Sequence, residues 1–318
     1  MLANYEKLWV VSIPLRTPFR GITHREAVIF EGERFAEWSP FLEYEDAEAA
    51  TWLKAAVSFA NEPLPKLNRS EIKTNATLPA VRPDEIQETL EPFGSFETVK
   101  IKVAQKGETL EQDLERVREV HRRYPHVKLR LDANGGYSLD QAKILAERLD
   151  GLPIEYLEQP LATISELAEF RAWLHGKYLI AADESVRKTL DPQAVISAEA
   201  ADILMLKVQP LGGITESLRV ANLGLDIVVS SALETSLGIA QGAYLAAALP
   251  ELKYDCGLGT LNLLAGDIAK DSMVPEDSIL DVRVPEIDHA LLEQFAAASD
   301  RVDWWHQRFE RCLELLES

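Results

Sequence analysis

VKLRLDA (127–133), SLDQAKILAERLDG (138–151) and IEYLEQP (154–160) decide the fold. The outer two stretches are apolar runs without strict alternation, and each ends near a carboxylate. Such runs suit strands covered on both faces. The middle stretch spaces its apolar residues at i, i+3 and i+4, the pattern of an amphipathic helix. Strand, helix, strand at this density predicts parallel pairing. The unit recurs outward in both directions. VKIKVA (99–104) precedes a helical pattern over 108–124, and IEYLEQP precedes one over 164–176. YLIAADES (178–185) precedes a shorter helical stretch over 192–200. ADILMLKV (201–208) precedes GITESLRVANLG, and LDIVVSSA (225–232) precedes LGIAQGAYLAAALP. A first strand is expected near TNATLPAV (74–81) and a short eighth near LKYDCGLG (252–259). Pattern alone permits an open doubly wound sheet or a closed barrel, but eight strands favour the barrel.

The flanks read differently. LWVVSIPLR (8–16) and EAVIFEGERFAEWS (26–39) predict antiparallel strands, and residues 43–60 predict a helix. The tail contains short strands and a long apolar-periodic stretch over 289–316, in which Trp304 and Trp305 read as packing residues. The expected organisation is an α/β protein: a modified (β/α) TIM-like barrel over 73–265, with an α+β cap over its mouth. Residues 1–72 supply the first part of the cap and 266–318 complete it.

The 318 residues are 47% apolar and 27% charged, which suits a folded domain with a sizeable core. The net charge of −19 repels nucleic acid and anionic membrane surfaces. It does not forbid a small-molecule carboxylate substrate, because a local cluster of cations overrides the global field. Cys256 and Cys312 show no zinc-site or redox spacing and cannot frame a disulfide scaffold, so a reducing compartment fits. The first residues lack the pattern of a secretory signal, and no apolar run is long enough to span a membrane. A cytoplasmic location is expected, with no membrane or nucleic-acid partner. An apolar patch on the tail helix leaves the choice between monomer and weak homodimer open.

Ionisable residues end successive predicted strands: Lys100 and Lys102, then Asp132, Glu158, Asp183 and Lys207. The carboxylates are spaced 26 and 25 residues apart, about one strand–helix unit each. A closed barrel gathers them at its C-terminal rim, where barrel active sites lie. Three carboxylates at close range repel one another unless a cation joins them. Oxygen ligands in this number suit Mg²⁺. Any one acid alone would more simply be a helix cap or a surface partner; three in successive units favour the metal. Asn134 and Glu184 read either as support for this set or as turn and helix-start residues. An inward lysine near a cation has a lowered pKa and can act as a base. Lys102 and Lys207 are therefore the candidate catalytic pair, on roughly opposite sides of the barrel. Lys100 shares the inward face of Lys102, and Arg130 that of Asp132. Lys100, Arg130, Asn134, Gly212, Gly213, Ser230, Ser231 and, in the cap loop, Arg20 make up the candidate substrate-binding set. Simple turn geometry explains the two glycines equally well.

KIK (100–102), LRLDAN (129–134), EYLEQP (155–160), ADES (182–185) and MLKVQPLGG (205–213) together resemble the enolase superfamily in its muconate-lactonising-like branch. Each motif is weak alone, but the ordered set is specific and runs over most of the chain. Residues 13–32, 37–46 and 230–240 are similar to the branch's menaquinone-pathway dehydratases. The resemblance implies Mg²⁺ held at Asp132, Glu158 and Asp183, a base at Lys102 and an opposing lysine at Lys207. The implied reaction removes water from 2-succinyl-6-hydroxy-2,4-cyclohexadiene-1-carboxylate. The succinyl tail is expected near residues 19–23 and Ser230–Ser231.

Other activities share this scaffold: N-acylamino acid racemisation, dipeptide epimerisation and muconate cycloisomerisation. Dipeptide epimerases typically carry D-x-D on the eighth strand. Here Asp255 is followed by Cys256 and Gly257, so the second acid is missing. A non-catalytic binding barrel would have lost a ligand or a base, and none is lost.

Overall fold

The computed structural model describes residues 7–19, 21–188 and 191–317. The chain opens with an antiparallel sheet, β1 (Leu8–Phe19), β2 (Ile22–Glu31) and β3 (Phe35–Trp38), followed by α1 (Asp46–Asn61). Next come β4 (Glu71–Lys73), β5 (Ala76–Leu78) and α2 (Ile86–Leu90). Strand–helix alternation then runs through β6 (Thr98–Lys102), α3 (Leu110–Arg123), β7 (Lys128–Asp132), α4 (Leu139–Arg148), β8 (Ile154–Glu158) and α5 (Ile164–Leu174). It continues with β9 (Leu179–Ala182), α6 (Glu184–Arg187), α7 (Gln193–Ser197), β10 (Ile203–Leu206), α8 (Val208–Leu211), α9 (Ile214–Ala221), β11 (Asp226–Val229) and α10 (Ser236–Ala248). The tail forms β12 (Ile279–Asp281), α11 (His289–Gln294) and α12 (Ser299–Glu317).

Strands β5 to β11 form one parallel sheet in sequence order. The expected eighth strand is only a pair of bridges, yet it closes the barrel. Cys256 N–H donates to the Lys73 carbonyl (2.7 Å), and Asn75 N–H to that of Cys256 (2.9 Å). On the other side Gly257 N–H donates to the Val229 carbonyl (2.8 Å), and Ser231 N–H to that of Gly257 (3.1 Å). A segment this short shows no strand periodicity, but it satisfies both sheet edges.

Three consecutive helices start on the same device. Thr109, Ser138 and Thr163 cap α3, α4 and α5, each accepting from the backbone N–H three residues on. The side chains of Gln112, Gln141 and Glu166 return the bond to the cap residue's N–H. Each box satisfies otherwise orphaned donors, and losing such a cap costs about 1 kcal/mol.

The tail returns to the N-terminal sheet. Helix α12 packs on α1 and β1, with Trp305 edge-to-face against Trp38 at 5.2 Å and both rings fully buried. Strand β12 pairs antiparallel with β4. No helix among the described residues is long and apolar enough to cross a membrane.

Candidate active site

Alternation aims the site residues. Tyr156, Ala181, Met205 and Val228 pack together in a core cluster distinct from the main one. Two residues further along the chain come Glu158, the last residue of β8, and Asp183, Lys207 and Ser230, each the first residue past its strand. With a side-chain period of two, these face the same interior one layer nearer the rim. Register completes the set: Lys102 lies beside Asp132, and Asp132 beside Glu158, across β6, β7 and β8.

All of these groups are buried. Lys102 Nζ donates to Asp132 Oδ2 (2.5 Å) and Asn134 Oδ1 (2.7 Å) and lies 5.2 Å from the Phe19 ring centroid. Lys207 Nζ donates to Asp183 Oδ2 (2.6 Å). Lys100 Nζ reaches Glu158 (3.3 Å), Asp132 (3.6 Å) and Ser230 Oγ (3.5 Å). Burial pulls the Lys102 ammonium below its ordinary pKa, and Lys100 adds to the effect against the pull of Asp132. Lys100 goes the other way: its burial is outweighed by Glu158 and Asp132, which hold it charged. Burial opposes ionisation at Asp183 as well, but Lys207 and Arg187 keep it well below the carboxylate range.

Lys100, Lys102, Asp132, Asn134, Lys207 and Ser231 line one cavity. Its far wall comes from the cap, through Phe19, Phe41, Tyr44 and Trp52. A wider cleft of about 930 Å³ opens beside residues 16–18 and 80–92, but it contains none of the strand-end lysines or the carboxylates paired with them. Among the described residues, no three Asp, Glu, His or Cys side chains are drawn together as a ready metal cage. The amino groups of Lys100, Lys102 and Lys207 stand among the three carboxylates instead.

Several expected contacts lie elsewhere. Arg130 points inward but sits below the mouth, fully buried. Its guanidinium bonds Glu155 (2.7 Å), Asn75 Oδ1 (2.9 Å) and the Asp255 carbonyl (2.7 Å), over the Tyr156 ring. It fastens the barrel interior and does not line the cavity. Gly212 and Gly213 adopt φ of +84° and +124° and back onto Thr51 and Ala55 of α1, so they serve a turn and a close approach. Ser230 sits behind the cavity beside Lys100. Arg20 lies outside the described residues.

Phe19 falls within the expected cap stretch 19–23, but sequence reasoning missed Arg187, Thr77 and Thr260, which also line the cavity, and the cap aromatics Phe41, Tyr44 and Trp52. Arg187 bonds Asp183 (3.2 Å) and Glu184 (2.9 Å) and approaches Glu48 (3.5 Å). Its place four residues after Asp183, one helical turn on, was the available signal. Glu184 in turn accepts from Asn134 Nδ2 (3.1 Å). Thr260 Oγ1 shares a hydrogen with Ser231 Oγ at 2.6 Å. Asp255, the lone acid of the closing segment, accepts from Thr98 at the start of β6, the opposite end from the mouth.

Fold and site together define a class: a capped (β/α) barrel whose rim interleaves carboxylates with lysines. Known proteins fall in line with it. A family model described as enolase C-terminal domain-like matches residues 83–286, and one described as enolase N-terminal domain-like matches 10–60. The chain is similar in fold to muconate lactonizing enzyme from Pseudomonas putida (TM-score 0.76, 20% identity, covering 93% of this chain and 100% of that one). It is similar also to N-succinyl Arg/Lys racemase from Bacillus cereus (TM-score 0.77, 18% identity, covering 92% and 97%). The o-succinylbenzoate synthase of Mycobacterium ulcerans is 46% identical over 98% of this chain and 94% of its own length. That of Mycobacterium tuberculosis H37Rv is 45% identical over 99% and 96%. The chain belongs to the o-succinylbenzoate synthase family of the enolase superfamily.

Proposed function

We propose that this chain is a lyase that dehydrates 2-succinyl-6-hydroxy-2,4-cyclohexadiene-1-carboxylate to 2-succinylbenzoate, a step of menaquinone biosynthesis. The observation that carries the reading is the convergence of Lys102, Asp132 and Lys207 on one cavity, with Asp183 paired to Lys207 behind its wall.

Lys102, whose burial favours the neutral amine, removes the proton α to the ring carboxylate. Asn134 and Asp132 hold the Nζ in place. Negative charge then spreads onto the carboxylate. Lys207, whose Nζ donates to Asp183, opposes that charge from its own side of the cavity. The ammonium formed on Lys102 returns its proton to the departing hydroxyl, which leaves as water. The ring becomes aromatic, so the overall step runs downhill. The cap aromatics exclude water and pack against the substrate's apolar surface.

The donor set suits a divalent cation such as Mg²⁺. Asp132, Glu158 and Asp183 are fully buried oxygen donors on neighbouring strands, and burial with the adjacent Asp132 pushes Glu158 up to about 7. A carboxylate that resists ionisation in this way is short of counter-charge. Asp132, Glu158 and Asp183 would hold the ion, which would supply positive charge opposite the substrate carboxylate.

The test is turnover of the cyclohexadiene with Mg²⁺, followed as appearance of the aromatic product. Lys102→Ala and Lys207→Ala should each lose roughly 10²–10⁴ in kcat while remaining folded. Near-normal turnover by either variant would refute the assignment. Because both lysines line one cavity, N-succinylamino acids belong in the same assay as a check on racemisation.

A further inference from the structure

Away from the reacting groups, the cap is fastened to the barrel by a buried polar network. Glu37, at the end of β3, is fully buried. Its Oε1 accepts from Ser39 Oγ (2.6 Å). Its Oε2 accepts from Thr235 Oγ1 (2.5 Å), Thr235 N–H (3.1 Å) and Gly238 N–H (3.1 Å). A cap carboxylate thus sits at the N-terminus of the barrel helix α10, where free N–H groups and the helix dipole favour negative charge. Arg25, from β2, faces it. Arg25 Nε donates to the Leu233 carbonyl (2.9 Å), and Nη2 reaches the carbonyls of Ser39 and Ala232 (3.4 Å to the latter). A third arm joins α8, the turn that follows Lys207. Gln209, two residues after Lys207, accepts from Ser39 N–H (3.1 Å) and donates to Ser39 Oγ (3.3 Å).

These bonds end on the substrate cavity. Ala232 and Leu233 line it from the rim loop, Phe41 from the cap and Pro210 from the Lys207 side. Leu233 holds a left-handed φ of +65°, a conformation that an ordinary side chain keeps only when its surroundings fix it. Arg25 fixes it through the Leu233 carbonyl, and its guanidinium also stacks 4.4 Å from the Phe41 ring centroid.

We propose that Arg25 and Glu37 are positioning residues. They latch the cap to the rim loop 231–235, and the latch sets the wall of the cavity that receives the part of the substrate remote from the reacting carbon. The chemistry itself does not use them. Breaking the latch therefore loosens substrate binding while leaving the lysine chemistry in place.

The kinetic arm of the test rests on the dehydratase reading. Glu37→Gln sets an amide NH₂ against N–H and O–H donors, and Arg25→Ala removes the carbonyl clamp. Each should raise KM about tenfold or more and leave kcat within about threefold. Arg25→Lys, which keeps one donor for Leu233, should recover part of the loss. Equal KM in wild type and variants overturns the proposal, and so does a fall in kcat alone that tracks the folded fraction. A second arm needs no turnover. In folded Glu37→Gln, backbone amides of 232–238 should exchange with solvent about tenfold faster than in wild type, while those of β7 and β8 stay unchanged. Unchanged exchange at 232–238 also overturns the latch. Failure of the wild type to turn over substrate, with faster exchange in Glu37→Gln, would refute the activity and leave the latch standing.

Discussion

Asp132 and Glu158 are neighbours in register and alike in chemistry, yet their surroundings drive them apart. Burial works against ionisation at both. Lys102, Lys100 and Lys207 hold Asp132 down at about 2, whereas burial and the nearby Asp132 push Glu158 up to about 7. Glu234, beside the cap latch, is driven in the same direction as Glu158. Burial, reinforced by Glu37, raises Glu234 from the ordinary 4.5 to about 7. Between those values the folded chain holds a proton that the unfolded chain has released. Its contribution to stability is therefore fully present below 4.5 and lost as pH rises through about 7. Glu234→Gln should remove that slope and make the protein about 1–3 kcal/mol more stable at pH 8, relative to wild type, than it is at pH 4.5. Denaturant titration at the two pH values measures it. Parallel curves for the two proteins would show that Glu234 titrates as an ordinary carboxylate.

At the scale of elements, the strand ends and their following turns carry the site. Apolar runs ending in a charge were readable because strands buried on both faces tolerate few charges, and those few must face a shared interior. The caps at Thr109, Ser138 and Thr163, found in the structure, leave a local trace too: Ser or Thr followed three residues later by Gln or Glu. Arg130 shows the limit of alternation: period two gives its direction but not its depth, and two residues of depth separate a packed guanidinium from a cavity wall. Turn glycines show another limit. Gly136 lies between the loops that follow Lys102 and Asp132, and a Cβ there would stand 2.6 Å from the Ala104 carbonyl oxygen and 3.0 Å from that of Ala133. Backbone yields little, so Gly136→Ala should cost about 1–3 kcal/mol and lower turnover by shifting Lys102 from Asp132. An unchanged denaturation midpoint would show that the turn relaxes freely.

Across the whole molecule, the barrel was readable and the joints were not. Its parallel order follows from local strand–helix rhythm. The eighth strand is too short for a pattern, and the cavity wall is completed by Phe41, Tyr44 and Trp52 from the cap. Contacts such as Glu37 with Thr235 span almost two hundred residues and leave no local trace. Cap-to-barrel geometry is therefore settled by tertiary packing, although 13–32 and 230–240 already carried the family resemblance. Metal should act on this assembled state and not on the unfolded chain. Mg²⁺ at about a hundred times its Kd should add about 2.7 kcal/mol to stability, and a chelator should remove it. A melting temperature indifferent to both would argue against a folded-state cation site.

Asp132, Glu158 and Asp183 are proposed to share one divalent ion beside the amines of Lys102 and Lys207. Calorimetric titration of Mg²⁺ into the wild type and into Asp132→Asn, Glu158→Gln and Asp183→Asn tests this most directly. One ion per wild-type chain, with affinity lost in each of the three variants, is the predicted result. Equal Mg²⁺ affinity in all four proteins, or none in the wild type, would contradict it.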